Sequence, residues 1–207
     1  MKIQSLLLSS CLVLIAQTLL ATSQSFDFKD PKGVNHVMFM LDAPLEFISG
    51  SGKNISGIVD FDKESPAKTK GEIIITVDSL SVTSKKMTNV MMGKKWLNAK
   101  LNPQISFKFD SIDVSQEVEG TVIGDAKGTL TLMGVSQEVS APVKITLAEG
   151  AAGKRSNKKD DKRDLLVVRS NFGIQLDSFG LKMNAATKLK VSNDVDVKVV
   201  IAGYGQN

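Results

Sequence analysis

The sequence predicts an all-β protein built on an antiparallel sheet whose apolar face must close on itself or pair with a second sheet. Three observations carry this. Runs in which apolar and polar residues alternate with period two recur from residue 34 to the end, the spacing of strands with one buried face. Turn-rich stretches separate the alternating runs, as at Ser49-Gly50-Ser51-Gly52-Lys53-Asn54, Ser65-Pro66-Ala67-Lys68 and Ser192-Asn193-Asp194, and these residues supply the backbone angles that reversals need. No long amphipathic helix is available to cover the apolar face, so the sheet must cover itself.

Taken in order, Val37, Phe39 and Leu41 form the first apolar row, and Ile73, Ile75 and Val77 the second. The segment from Ser84 to Leu97 breaks the pattern: Met87, Val90, Met91 and Leu97 recur at helical spacing, Gly93 interrupts, and Trp96 stands beside Leu97. It reads as one short helix near 84–97, either a lid or plug over an open end of the sheet or a connector whose methionines join the core. Ile105, Phe107 and Phe109 then alternate with Ser106, Lys108 and Asp110. Val139, Ala141, Val143, Ile145 and Leu147 form the next row, and Val195, Val197, Val199 and Ile201 the last. Residues 150–164 hold six basic and three acidic side chains and nothing apolar beyond two alanines, which reads as a charged, solvated surface loop that also offers a peripheral contact to an anionic membrane.

The first residues give an address. Lys2 precedes an apolar run from Ile3 to Leu20, and small residues follow at Ala21, Thr22 and Ser23. Residues 1–23 therefore read as a cleaved signal peptide, because Ser9, Ser10, Gln17 and Thr18 interrupt the run that a membrane span would need. Leu8-Ser9-Ser10-Cys11 is formally a lipoprotein cleavage pattern, but the apolar character continues past Cys11, where a lipoprotein turns polar. Residues 24–207 are expected to form one domain, periplasmic or otherwise secreted. Cys11 is the single cysteine, so removal of the signal leaves no disulfide, thiolate metal site or cysteine nucleophile. The net charge of +4 with 5% aromatic residues does not suit nucleic acid, whose ligands concentrate basic charge among stacking aromatics.

Catalytic chemistry is sparse. His36 is the only histidine, no Gly-x-Ser-x-Gly elbow exists to hold a serine nucleophile, and neither an enzyme nor a metal site is expected. The carboxylate pairs Asp60 with Asp62, Asp160 with Asp161 and Asp194 with Asp196 read as solvated turn and strand residues. Asn54-Ile55-Ser56 is a formal glycosylation acceptor, relevant only in a eukaryotic source. His36 opens an apolar row, so it is placed either structurally or at a cavity rim, where it would meet a ligand's polar head.

Five segments, in register along the chain, resemble the YceI-like family. Gly128-Thr129-Leu130-Thr131-Leu132-Met133-Gly134-Val135-Ser136 is similar to the family's signature. Asn35-His36-Val37-Met38-Phe39, Ser56-Gly57-Ile58-Val59-Asp60-Phe61-Asp62, Trp96-Leu97 through Asn102-Pro103-Gln104-Ile105-Ser106-Phe107, and Arg169-Ser170-Asn171-Phe172-Gly173 resemble further family segments. The resemblance implies a closed, lipocalin-like antiparallel barrel of about eight strands, exported, with a long isoprenoid quinone or polyprenyl lipid as the possible ligand inside. A barrel of that size has room for one apolar ligand. The chain departs from the family pattern at Val37, commonly serine, at Met133, often histidine, and across Met87–Met92, which lacks the usual Arg-Asp-x-His. These positions are more apolar, so fewer head-group contacts are expected there than relatives make.

The resulting expectation is an exported protein that sequesters or carries an isoprenoid-type lipid. Phe39, Ile75, Trp96, Ile105, Phe107, Phe109, Leu130 and Leu132 would line the cavity, with His36 near its mouth. The alternative is an envelope adaptor or stress protein in which the same rows fill an ordinary core, and cavity volume separates the two. Oligomeric state is not legible in the sequence.

Overall fold

A computed structural model describes residues 23–206. Of the expected signal segment only Ser23 is described; the rest, with Cys11, lies outside the described residues.

The strands are β1 (Ser23–Asp27), β2 (His36–Asp42), β3 (Phe47–Gly52), β4 (Ile55–Asp62), β5 (Lys70–Thr76), β6 (Ser81–Val82), β7 (Gln104–Val118), β8 (Thr121–Leu132), β9 (Val135–Ala148), β10 (Leu165–Gln175) and β11 (Asp194–Gly205). The short helices are α1 (Lys85–Met91), α2 (Ala152–Ser156) and α3 (Ala185–Lys188). β5, β7, β8 and β11 in particular carry Val, Ile, Phe and Thr, whose branched or planar side chains fit a pleated surface.

Eight strands close a barrel in the order β1-β4-β5-β7-β8-β9-β10-β11, and β1 returns to β11 through Phe26 opposite Gly205 and Asp27 opposite Tyr204. All pairings are antiparallel. That closure is short because β11 gives residues 196–200 to β2 instead, and β2, β3 and β6 extend the sheet beyond the barrel edge. The closed barrel of about eight strands that the family resemblance implied is thus present, with three strands added.

Two hairpins are tight. Val118 pairs with Thr121 around Glu119-Gly120, and Leu132 pairs with Val135 around Met133-Gly134. All four loop residues have positive φ, between 45° and 76°, the pattern of two-residue turns that match the right-handed twist of the strands. Met133, at φ 54°, occupies a conformation that side-chain-bearing residues rarely adopt.

Phe26, Phe28, Phe61, Val122 and Leu166 are buried at one end of the barrel and seal it. At the other end Leu41, Leu130, Leu132, Leu176, Phe179 and Leu181 form a second cluster, joined by Trp96, Leu97, Met133 and Val191.

The segment 150–164 differs from the expected solvated loop. It folds into α2, whose Ala152 is fully buried beside Leu165 and Tyr204, and Arg155 reaches back to the sealed end. The Arg155 guanidinium lies 2.8 Å from Asp30 and donates to Asn35 Oδ1 at 2.9 Å. Asp30 also accepts from the backbone N–H groups of Lys32, Val34 and Asn35. Burial opposes its charge, but those N–H groups and Arg155 outweigh it and hold the Asp30 carboxyl below the ordinary carboxylate range. Asn35 completes the knot by donating to the carbonyls of Phe28 and Ala202 and accepting from the Ala202 N–H.

Candidate functional site

The inward faces of the strands do not meet. They surround a cavity of about 420 Å³ between the sealing phenylalanines and the second cluster, within the size range of small-molecule sites.

Alternation along each strand places the lining. Val37, Phe39 and Leu41 of β2 face inward, as do Ile73 and Ile75 of β5, Ile105, Phe107 and Phe109 of β7, and Leu130 and Leu132 of β8. Phe107 and Phe109 stack with ring centroids 5.8 Å apart and planes 17° from parallel, a favourable offset arrangement. Val195, Val197, Val199 and Ile201 of β11 and Val143 and Ile145 of β9 complete the walls. All eight apolar residues expected to line the cavity, Trp96 included, border it.

The helix expected near 84–97 is α1. The Ser84 hydroxyl caps it by accepting from the Met87 N–H at 3.4 Å, and the Thr88 hydroxyl exchanges hydrogen bonds with the Val82 peptide, tying the helix to β6. Met87, Val90 and Met91 of α1 border the cavity with Trp96 and Leu97, as a lid would. Met87 and Val90 also face solvent, so the wall here is one side chain thick.

His36 is not brought to this site. Its neighbour Val37 lines the cavity, so on an extended strand His36 points to the other face. There its Nδ1 donates to the Val34 carbonyl at 2.9 Å. The placement near the mouth is corrected by strand parity.

Sequence reasoning missed part of the lining. Val168, Ser170, Phe172 and Ile174 of β10 border the cavity, as do Leu176, Leu181 and Val191 from the connection between β10 and β11. Ile112 joins from β7 because register slips between Phe109 and Ser111. A bulge of this kind adds one residue and reverses the inward parity after it.

The lining is almost wholly apolar. Only Lys86, Ser170 and Trp96 among its residues carry a polar side-chain group, and the Ser170 hydroxyl already donates to the Pro142 carbonyl at 2.6 Å. Such a surface binds apolar molecules by excluding water. Among the described residues no cluster of three His, Cys, Asp or Glu side chains is arranged to hold a metal ion. The carboxylate pairs lie elsewhere: Asp60 accepts from the Ser25 hydroxyl, Asp62 from the N–H groups of Glu64 and Ser65, and Asp194 from Gln175.

Comparison with known proteins agrees with this architecture. Among curated sequences, UPF0312 protein YE1254 of Yersinia enterocolitica is 31% identical over 101 residues, 48% of this chain and 50% of that protein. The chain thus matches about half the length of that relative. Among solved structures, BcnA of Burkholderia cenocepacia superposes with a TM-score of 0.63 at 21% identity, covering 81% of this chain and 95% of its own. A polyisoprenoid binding domain from Saccharophagus degradans, implicated in plant cell wall breakdown, superposes with a TM-score of 0.63 at 13% identity, covering 89% and 99%. At these identities the structures establish a shared barrel. The YceI-like domain profile matches residues 22–202, nearly all of the described chain, and on that match the protein belongs to the YceI-like family.

Proposed function

We propose that the protein sequesters or carries one long apolar lipid of isoprenoid type, such as an isoprenoid quinone or polyprenyl lipid, within the barrel. One observation carries the reading: a cavity of about 420 Å³ with an almost uninterrupted apolar lining, roofed by a short helix. A filled core, as an adaptor would have, leaves few voids larger than a water molecule, so the cavity favours a binding role. The barrel shared with the polyisoprenoid binding domain of Saccharophagus degradans supports an isoprenoid ligand.

Burial supplies the affinity. Each CH₂ removed from water contributes ~0.8 kcal/mol, so about ten of them outweigh much of the entropic cost of association without any polar contact. The role in this reading is binding, to which an almost wholly apolar wall is suited. Export belongs to the same reading: the signal-like segment at 1–23 supports a carrier that works in the periplasm or outside the cell.

Native mass spectrometry of protein purified gently from its own envelope, followed by organic extraction, tests the reading. A stoichiometric apolar adduct is expected. A bare mass, unchanged after incubation with quinones and polyprenyl lipids, overturns it.

A further inference from the structure

We infer that the α1 end of the barrel docks on an anionic lipid surface, so that an apolar chain passes between membrane and cavity beneath α1. The purpose of docking rests on the carrier reading; the docking itself is a property of the surface and is measured separately.

Four connections build this end, residues 43–46, 77–103, 133–134 and 176–193, and the two-residue β3–β4 connection abuts it where the Lys53 N–H donates to Ser79 Oγ. The four are bound to one another. The Leu45 N–H donates to the Leu189 carbonyl at 2.9 Å, Glu46 faces Lys190 at 3.8 Å, and Trp96, Met133 and Leu181 share one apolar cluster. Between them they hold eight lysines, five within 85–100 and three within 182–190, against the three carboxylates of Glu46, Asp78 and Asp177. All eight lysines are exposed.

The sealed end is basic but balanced. Its connections, 28–35, 63–69, 119–120 and 149–164, carry ten Lys and Arg against seven Asp and Glu, and three of the cations are already paired, Lys63 with Glu149, Arg155 with Asp30 and Arg163 with Asp161. Residues 150–164, whose charge first suggested a membrane contact, are therefore the weaker candidate.

Exposed apolar side chains fall on the same side. Leu101 is 75% exposed, Leu45 66% and Phe47 63%, all at the α1 end, whereas the most exposed large apolar residue at the sealed end, Val118, reaches 50%. Lysines interleaved with protruding leucine and phenylalanine match a bilayer surface: ammonium groups meet lipid phosphates while apolar side chains enter the acyl boundary. Docking in this pose presses Val90, exposed and bordering the cavity, against the membrane. The lid behind it is held by β6, a two-residue edge strand, so few bonds oppose its displacement.

The test titrates the purified protein with vesicles of equal parts phosphatidylglycerol and phosphatidylcholine, and separately with phosphatidylcholine alone, following sedimentation and Trp96 fluorescence. Binding is expected to the anionic vesicles only and to be lost in high salt. Replacing Lys94, Lys95, Lys100 and Lys182 by glutamate should weaken it about tenfold or more, while Lys154→Glu, Lys158→Glu, Lys159→Glu and Lys162→Glu together leave it near the unmodified protein's value. Equal binding to neutral vesicles, no binding to anionic ones, or equal loss in the two variants overturns the docking surface. Native mass spectrometry of the same proteins keeps the two ideas apart: an adduct without vesicle binding sinks docking alone, and vesicle binding without an adduct sinks the carrier alone.

Discussion

Ala126 and Ala141 face one another across the β8–β9 pair, and both border the cavity. Opposed residues on antiparallel strands put their Cβ atoms about 5 Å apart on one face of the sheet, so two methyl groups here leave open what larger side chains would fill. Ala126→Leu combined with Ala141→Phe is expected to abolish the bound adduct while stability stays within about 1 kcal/mol or rises, because the new groups fill apolar space already present. Native mass spectrometry beside urea denaturation reads both. A wild-type adduct in the double variant would place the ligand outside this cavity.

Phe39 stands opposite Gly50 in the β2–β3 pair, and its ring lies over the glycine. A Cβ built on Gly50 would come within 2.2 Å of the Phe39 ring and 2.6 Å of the Ser81 carbonyl. Gly50→Ala should therefore cost about 1–3 kcal/mol and push the Phe39 ring off the wall. Phe39→Ala in the same chain should relieve only part of the loss, since the Ser81 carbonyl still crowds the new methyl. A double-mutant cycle in urea measures that coupling, and strict additivity would show that the ring does not restrain position 50.

Legibility follows the simplicity of each strand. Phe39, Ile75, Ile105 and Phe107 are readable because each lies in a stretch whose inward positions keep strict period two. Ile112 is not, because it lies three residues from Phe109 and only the extra residue in the bulge returns it to the interior. β10 does not read as a row, since Arg169, Ser170 and Asn171 interrupt it and the inward Ser170 is made tolerable by a carbonyl 28 residues away in sequence. The same long-range logic hides the role of Arg155, whose partner Asp30 is 125 residues distant. His36 fails on parity alone: the apolar row beginning at Val37 is right, and a residue beside such a row faces away from it.

Lys86 is the one cation bordering the cavity, and among the described residues no carboxylate pairs with it. If its ammonium meets the polar head of the bound lipid, Lys86→Met should leave neutral apolar ligands bound as before and weaken acidic-headed ones by about five- to tenfold, the scale of one charge-assisted hydrogen bond. Competition between a prenyl alcohol and the matching prenyl phosphate, followed by displacement of a fluorescent probe, checks it. Equal losses for both ligands would show that Lys86 contributes its aliphatic stem and not its charge.

The Asp30–Arg155 pair gives the barrel an acid-sensitive seal. The Asp30 side chain is 2% exposed and that of Arg155 25%, so Asp30→Asn leaves a largely buried guanidinium without its counter-charge and should cost about 2–4 kcal/mol. The pH dependence has a definite sign. Asp30 in the folded protein lies below its ordinary value of 3.8, so the unfolded chain takes up the proton first, and the stabilisation is complete above that value and lost as pH falls through the lowered one. Asp161, held below the ordinary range mainly by its hydrogen bond from Arg163, acts in the same direction and remains in the variant. Urea denaturation at a series of pH values from neutral downward should therefore show a shallower acid slope for Asp30→Asn than for the unmodified protein, with the two curves converging at the acid end. Parallel curves, offset equally at every pH, would mean that the carboxylate charge of Asp30 contributes nothing and that its shape and hydrogen bonds alone hold the sealed end together.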